Sequence, residues 1–569
     1  MRFYFRRPVF VLLALLTALT CAIAQPRLHS ATRLTPAIER SNRATEQFQQ
    51  SLEGKTCRRD FPAELFKTFD QTFGDCQRQQ LSTTLKTLQA SLTSESDFAV
   101  QQDLQLLIHE AELLLRKDAL EKKYYIADLD LTRQLTRYFT TQIAKGDANQ
   151  ALTQLRRFAG EMGQPLTAIA LSRIRAHLAS ADLYLSDQIR TDLSPQQTQA
   201  NLQHLRQAFE QSQLRGYAAA LNQLETQLTD YNQFLRQSVL PQAKIGFRLQ
   251  PDLYALRLEE QGVAIPIEEL IAQSRSTFGQ VQQEMNAIAA KIAQQRGLQQ
   301  TDYREIIRVL KQEQLSPKAV LELYQQRQRD IEAIIRQHQL VTLPKRGLTI
   351  RLATAAENDS FPVPRYYSPS RNREGVFIIP VLANRQDYDD FTYPAVTWTL
   401  TAHEGRPGHD LQFATIQDYA ISKVRSQSFK AASHEGWALY AEALTKPYMP
   451  LEGQLISLQF QLLRAARAFL EPELHLGRMT IPEARRVLMQ DAGYSRFFAD
   501  QEIQRYTTRT PGQAPAYFYG FYQLIQLRQT VEAQLGSRFN AQQFHDLILA
   551  QGFLPPELLR IAVLKNTSS

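Results

Sequence analysis

The spacing of apolar positions divides the chain into distinct textures. From about residue 35 to residue 340, apolar side chains recur every three or four positions, the repeat that gathers them on one helix face. Leu104, Leu107, Ile108, Ala111, Leu114 and Leu115 form one such face, and runs at 152–158, 183–189, 196–212 and 221–235 read the same way. Helix starts are legible as well. Asp192-Leu-Ser194-Pro195 and Leu315-Ser316-Pro317 place a capping serine before a proline that needs no amide partner. Pro266-Ile-Glu268-Glu269 sets two carboxylates at the positive end of a helix.

The texture changes near Leu343. Arg346-Gly-Leu-Thr-Ile-Arg-Leu alternates, and Gly375-Val-Phe377-Ile-Ile-Pro-Val is β-branched, so both read as strands. Between them, residues 361–370 are too proline-rich for either element and are expected to be a loop. Helical patterning resumes just before residue 399 and runs to the C-terminus. The expected fold is therefore mainly α, with a small β-sheet placed directly before a motif-bearing helix. The expected regions are a leader over 1–24, a helical N-terminal region over 25–340, a sheet and loop region over 341–398, and a helical region over 399–569 that carries the chemistry.

Composition narrows the setting. Arg2, Arg6 and Arg7 precede an apolar run, and Ala22-Ile23-Ala24 offers the small residues of a signal-peptidase site, so a cleaved leader ending at residue 24 is expected. Ala18-Leu19-Thr20 before Cys21 is a poor lipid-attachment box. Export and release to the periplasm or exterior is thus expected over a lipoprotein or anchored form, with no stable membrane insertion afterwards. Of the remaining cysteines, Cys57 and Cys76 can pair in an oxidising compartment. The formal charge of +8 falls to +5 without the leader arginines. That excess is dispersed among acidic residues, with no basic and aromatic stripe, so no nucleic-acid partner is expected.

The chemistry concentrates in two short blocks. The chain has ten histidines, and three of them fall in His403-Glu404-Gly-Arg-Pro407-Gly408-His409 and His434-Glu435-Gly-Trp437. Two imidazoles and a carboxylate can hold zinc while leaving room for water, and a spare glutamate can take the water's proton. In the common zinc-hydrolase helix the two histidines are four apart; here they are six apart. Six residues at about 100° each leave the second side chain roughly 120° off the first, so an unbroken helix cannot aim both at one ion. Pro407-Gly408 supplies the break. Glu435 and Glu442 share a face of the next helix. Glu435 is the expected third ligand and Glu442 the carboxylate orienting a liganding imidazole, with the reverse assignment of the third ligand kept open. His434 points elsewhere and would face substrate.

These blocks resemble the bacterial family called domain of unknown function 885. The family pattern His-Glu-x-x-Pro-Gly-His-His-x-Gln stands here as His403 to Gln412 with Asp410 in place of the second of the paired histidines, and His-Glu-Gly-Trp-Ala-Leu-Tyr-x-Glu stands intact from His434 to Glu442. Pro511-Gly512-Gln513-Ala514-Pro-Ala-Tyr517, Leu527-Arg528, Phe544-His545-Asp546 and Gly552-Phe-Leu-Pro555 resemble its later segments. The resemblance implies a zincin-like metallopeptidase fold with long helices around a deep cleft. It also implies His403, His409 and Glu435 as zinc ligands and Glu404 as general acid and base. Tyr517 and His545 are then candidate donors to a developing oxyanion, and Arg528 a candidate clamp for a substrate carboxylate. Arg365, Tyr366 and Tyr367 would line the cleft, and the strand through Phe377 would offer backbone to an extended peptide. The expected activity is zinc-dependent hydrolysis of short peptides or other amides; the rival is an inactive periplasmic peptide-binding or scaffold protein.

Overall fold

The computed structural model describes residues 35–567, apart from 54–74, 125–129, 145–147, 179–183, 186–188, 190–191, 213, 361, 371–372, 382–388 and 420. The leader expected over 1–24, Cys21 and Cys57 lie outside the described residues; Cys76 is disulfide-bonded. The chain is mainly helical, with a small three-stranded sheet. It divides into two compact units, so the helical region 25–340 contributes to both.

One unit comprises Glu46–Ser94 and Gln105–Leu253. Its core is made largely by faces that the three-and-four spacing marks, but the helical reading of 183–189 is corrected: Tyr184–Leu185 is a short strand paired in parallel with Lys244–Ile245. Leu135, Phe139, Leu155, Phe158, Phe209 and Leu224 are all buried, and the Phe139 ring meets those of Phe158 and Phe209 at 5.6 and 5.2 Å. The helix Pro195–Gln211 starts as expected, with the Ser194 hydroxyl accepting from the Gln197 amide at 3.2 Å.

The other unit holds the described residues of Met1–Thr45, Glu95–Leu104 and Tyr254–Ser569. Helix α1 (Ile267–Arg296) opens with Glu268 and Glu269 in its first turn and ends on Gly297, whose φ of 66° is the left-handed conformation glycine adopts freely. Helix α2 (Pro317–Gln337) is capped by Ser316. Strand β1 (Leu348–Leu352) pairs parallel with β3 (Gly375–Ile379), and β2 (Arg365–Tyr367) pairs antiparallel with β3 from the other side. The expectation of an unstructured 361–370 is therefore corrected. Arg365-Tyr366-Tyr367 sits just after Pro364, and aromatic residues suit an edge strand where a neighbouring proline costs no ladder bond.

Five helices follow that shape the site: α3 (Val396–Glu404), α4 (His409–Asp418), α5 (Ala431–Thr445), α6 (Leu451–His475) and α8 (Ala514–Leu535), with α7 (Arg496–Gln504) preceding the last. From Leu455 to His475 every residue of α6 except Gln461 is buried, as befits a helix covered on all sides by α1, α8 and their neighbours. Helices α5 and α8 approach through glycine. A methyl on Gly520 would lie 1.9 Å from the Ala432 carbonyl oxygen, and one on Gly436 would lie 2.6 Å from the Gly520 backbone. This close crossing brings the Tyr517 turn of α8 beside the Glu435 turn of α5.

Candidate metal centre

The first motif folds as two helices rather than one. Helix α3 makes its last regular bond from Gly405 N–H to the Thr401 carbonyl at 2.9 Å, and α4 starts at His409. The turn between them folds tightly over the helix end, since a methyl on Gly408 would lie 2.0 Å from the His403 carbonyl oxygen. Side chains fix this turn. The Trp437 indole donates to the Pro407 carbonyl at 2.9 Å, and the Arg406 guanidinium reaches Asp410 at 2.8 Å and Glu332 at 2.9 Å. Asp410 also accepts from the Tyr366 hydroxyl at 2.9 Å and is fully buried. The residue that departs from the family pattern thus braces the turn through Arg406 and does not line the cavity described below.

The break re-aims the second imidazole. His403 Nε2 and His409 Nε2 each lie 3.4 Å from the same Glu435 Oε2. The ligand-capable atoms of the three residues fall within 4.8 Å of one another, and all three side chains are buried. Among the described residues that carboxylate oxygen has no hydrogen-bond partner, which is costly for a buried anion. The two carboxylate–imidazole separations match a zinc shell, in which bonds of about 2.0–2.2 Å in tetrahedral array put ligand atoms roughly 3.3–3.6 Å apart. Glu442 lies on the far side of His403, accepting from Nδ1 at 2.7 Å and from the Thr399 hydroxyl at 2.7 Å. It therefore orients His403, and Glu435 is the member that converges with the two imidazoles.

Burial dominates the electrostatics here. Alone it would lower the His403 imidazole, but the Glu435 and Glu442 carboxylates outweigh it and push the group up to about 9. Among the described residues His409 has no partner at Nδ1, and burial pushes it down to about 4. Burial pushes Glu404 up to about 7, against the pull of the neighbouring His403. The Tyr517 phenol is pushed up to about 12 by burial, with Arg505 opposing and the adjacent Glu435 adding.

A cavity of about 710 Å³ opens on this cluster. Of the residues expected from sequence, His403, Glu404, His409, His434, Glu435, Tyr517 and Arg365 all reach its lining, as do Tyr366 and Tyr367. His434 is held by its Nδ1 against the Lys430 carbonyl at 2.8 Å and stacks on Phe429 at 3.9 Å.

Three expected site residues are elsewhere. Phe377 is fully buried in β3, against the Tyr324 ring at 5.4 Å. Because β3 is the central strand, both its backbone edges are already paired, and β2 is the strand that borders the cavity. His545 is fully buried on helix α9 (Ala541–Leu549), bonded through Nδ1 to the Leu340 carbonyl at 2.6 Å and through Nε2 to the Tyr440 hydroxyl at 2.8 Å. Arg528 pairs with Glu532 at 2.7 Å and donates to the same hydroxyl at 3.1 Å. Neither lines the cavity.

Sequence reading missed Arg464, Arg467, Glu502 and Arg505, which do line it. The signal was present, because Arg464 and Arg467 interrupt the otherwise apolar stretch Leu462–Leu470 and so require a reason for burial. Arg467 pairs with Glu502 through two bonds of 2.6 and 2.8 Å, and the Arg467 and Arg505 guanidiniums lie 4.7 and 4.9 Å from the Tyr517 ring centre.

Fold and site together define a class: a mainly helical protein in which a broken helix and a second helix bring two histidines and a glutamate onto the floor of a cavity. The chain belongs to the family described as "Bacterial protein of unknown function (DUF885)", whose sequence profile matches residues 56–563. Its fold is similar to that of "a putative lipoprotein of unknown function from Shewanella oneidensis", with a TM-score of 0.65 and 17% identity over 93% of this chain and 100% of that one. It is also similar to "the putative lipoprotein from Colwellia psychrerythraea", with a TM-score of 0.58 and 18% identity over 94% of this chain and 99% of that one. No curated protein matches the chain.

Proposed function

We propose that this protein is a zinc-dependent hydrolase of amide bonds in short peptides, with His403, His409 and Glu435 as the metal ligands. One observation carries the reading: a buried Glu435 oxygen without a hydrogen-bond partner sits 3.4 Å from two imidazole nitrogens at the floor of a cavity. Two nitrogens and a carboxylate favour zinc among common divalent ions. When bound, the metal polarises the substrate carbonyl and makes water acidic enough to act near neutral pH.

The chain's own residues do the rest. Glu404 follows a ligand in sequence and lines the same cavity, so it takes the proton of the attacking water and returns it to the departing amine. Glu442 accepts the Nδ1 proton of His403, which turns Nε2 toward Glu435. Tyr517, kept protonated by its buried setting, donates to the oxygen that gains charge as the carbonyl carbon becomes tetrahedral. Strand β2 borders the cavity and offers an edge to an extended peptide. A small sheet followed by a motif helix supports a zincin-like classification. An extracytoplasmic setting belongs to the same proposal. It is supported by the leader pattern and by the description "putative lipoprotein" shared by the two similar structures. Among the described residues no helix is long and apolar enough to cross a membrane.

The test is a short-peptide library assayed with wild type and Glu404→Gln, with metal content measured on both. The expected outcome is cleavage by wild type and a loss of about 10²–10⁴-fold in the variant, with metal retained. Metal-loaded wild type that cleaves nothing in the library would instead support the binding-protein reading.

A further inference from the structure

The cavity carries an excess of positive charge on one wall. Arg467, Arg505 and Arg509 line it with Glu502 as the carboxylate among them, while Arg464, also in the lining, pairs with Glu442 at 3.5 Å. Glu502 is largely committed to Arg467, through the two short bonds above, and to the Tyr506 hydroxyl at 2.9 Å. Arg505 reaches only its flank, at 3.5 Å, and otherwise donates to the neutral Gln513 side chain at 3.2 Å. Arg509 donates to the side-chain amides of Gln501 at 3.0 Å and Gln504 at 2.5 Å, and it is exposed. Two guanidiniums at a cavity wall thus have mostly uncharged partners. A planar fork of donors is the shape that recognises a carboxylate, and a charged acceptor there would outcompete an amide oxygen.

The distance of this wall from the cluster limits what the carboxylate can be. The Arg505 guanidinium stacks 4.9 Å from the Tyr517 ring centre, and that same phenol borders Glu435. One tyrosine ring therefore separates the arginine wall from the metal ligands, a gap that roughly two residues of extended chain would cross at about 3.3–3.6 Å each. Where Phe413 and Phe429 pack by His409 and His434, the lining is aromatic and suits an apolar side chain instead.

We propose that Arg505 and Arg509 bind the C-terminal carboxylate of a peptide substrate, so that cleavage falls one or two residues from the chain end. The siting of the cut rests on the hydrolase reading above; the carboxylate subsite does not. The same chemistry would accept an acidic side chain, and the test separates the two sources.

Zinc-loaded Glu404→Gln protein permits binding to be read without turnover. It is titrated by calorimetry with acetyl-Ala-Ala-Phe-Ala as the free acid, the same peptide as its C-terminal amide, and an amide ending in Glu. The free acid is expected to bind at least about tenfold more tightly than either amide, and the gap should shrink below about twofold when Arg509→Gln and Arg505→Gln are added. Arg509 is exposed, so its single variant reports even where Arg505→Gln folds poorly; Arg509→Gln alone should narrow the gap. Equal binding of acid and plain amide, or a gap that survives both substitutions, overturns the proposal. Recovery by the Glu amide overturns the assignment to the chain end. Wild type is assayed on the same peptides. An acid preference in binding with no cleavage of any peptide leaves the subsite standing and removes the hydrolase reading. Cleavage with equal binding does the reverse.

Discussion

His403 and His545 lie in the same unit, both are buried, and both are fixed through Nδ1, His403 by Glu442 and His545 by the Leu340 carbonyl. They differ in what stands beyond Nε2. For His545 it is the Tyr440 hydroxyl at 2.8 Å, so both ring nitrogens are satisfied and the ring lines no cavity. For His403 it is a Glu435 oxygen with no hydrogen-bond partner, shared with His409 and facing a cavity of about 710 Å³. A satisfied polar cluster holds the fold together, whereas an unsatisfied one at a cavity is prepared for something not supplied by the chain. Motif position does not distinguish the two; the environment of one nitrogen does.

Substitutions in the two clusters should therefore separate activity from stability. Tyr517→Phe is expected to lower kcat about 10²–10³-fold while the melting temperature stays close to wild type, because the hydroxyl is proposed to act on the transition state. A drop in stability without a drop in kcat would move Tyr517 to the structural side. Glu442→Gln should weaken metal binding or activity by about 10–100-fold, read by competition with a chelator, since Glu442 holds His403 through Nδ1 and is proposed to orient it as a ligand.

His545→Gln should show the opposite profile, with activity within a few-fold of wild type and a stability loss of about 1–3 kcal/mol at pH 7 in denaturant titration. Its pH signature is specific. Burial holds the ring down at about 3, against an unfolded value near 6.5, with Arg528 and Tyr440 facing it and Arg528 adding to the depression. The folded value is the depressed one, so the neutral ring's contribution is fully present above about pH 6.5 and is lost as pH falls toward 3. The variant should lose that part of the acid sensitivity. An unchanged stability profile between those limits would contradict the assignment.

Much of this was legible in the chain because it is local. The serine caps at Ser194 and Ser316, the strands at 348–352 and 375–379, and the helix break at Pro407-Gly408 each depend on a few adjacent residues. Strand order is not local, so the sequence could not tell that Phe377 would occupy a central strand and that β2 would take the edge. Tyr517 and Arg528 are eleven residues apart on one helix, about 16 Å along its axis, so a substrate carboxylate at Arg528 would lie several residues from a bond beside Tyr517. Arg464 and Arg467 stand out as charges in an apolar stretch, but their partners, Glu442 from α5 and Glu502 from α7, are brought near only by the fold.

The most direct test is the metal content of the purified mature protein after dialysis against zinc and removal of loosely bound ion, compared with Glu435→Gln. About one equivalent of zinc per wild-type chain and a clear loss in a folded variant are expected, as for a site of two imidazoles and one carboxylate. Wild type that retains no divalent ion, or a variant that holds it equally well, would contradict the claim that His403, His409 and Glu435 form a metal centre.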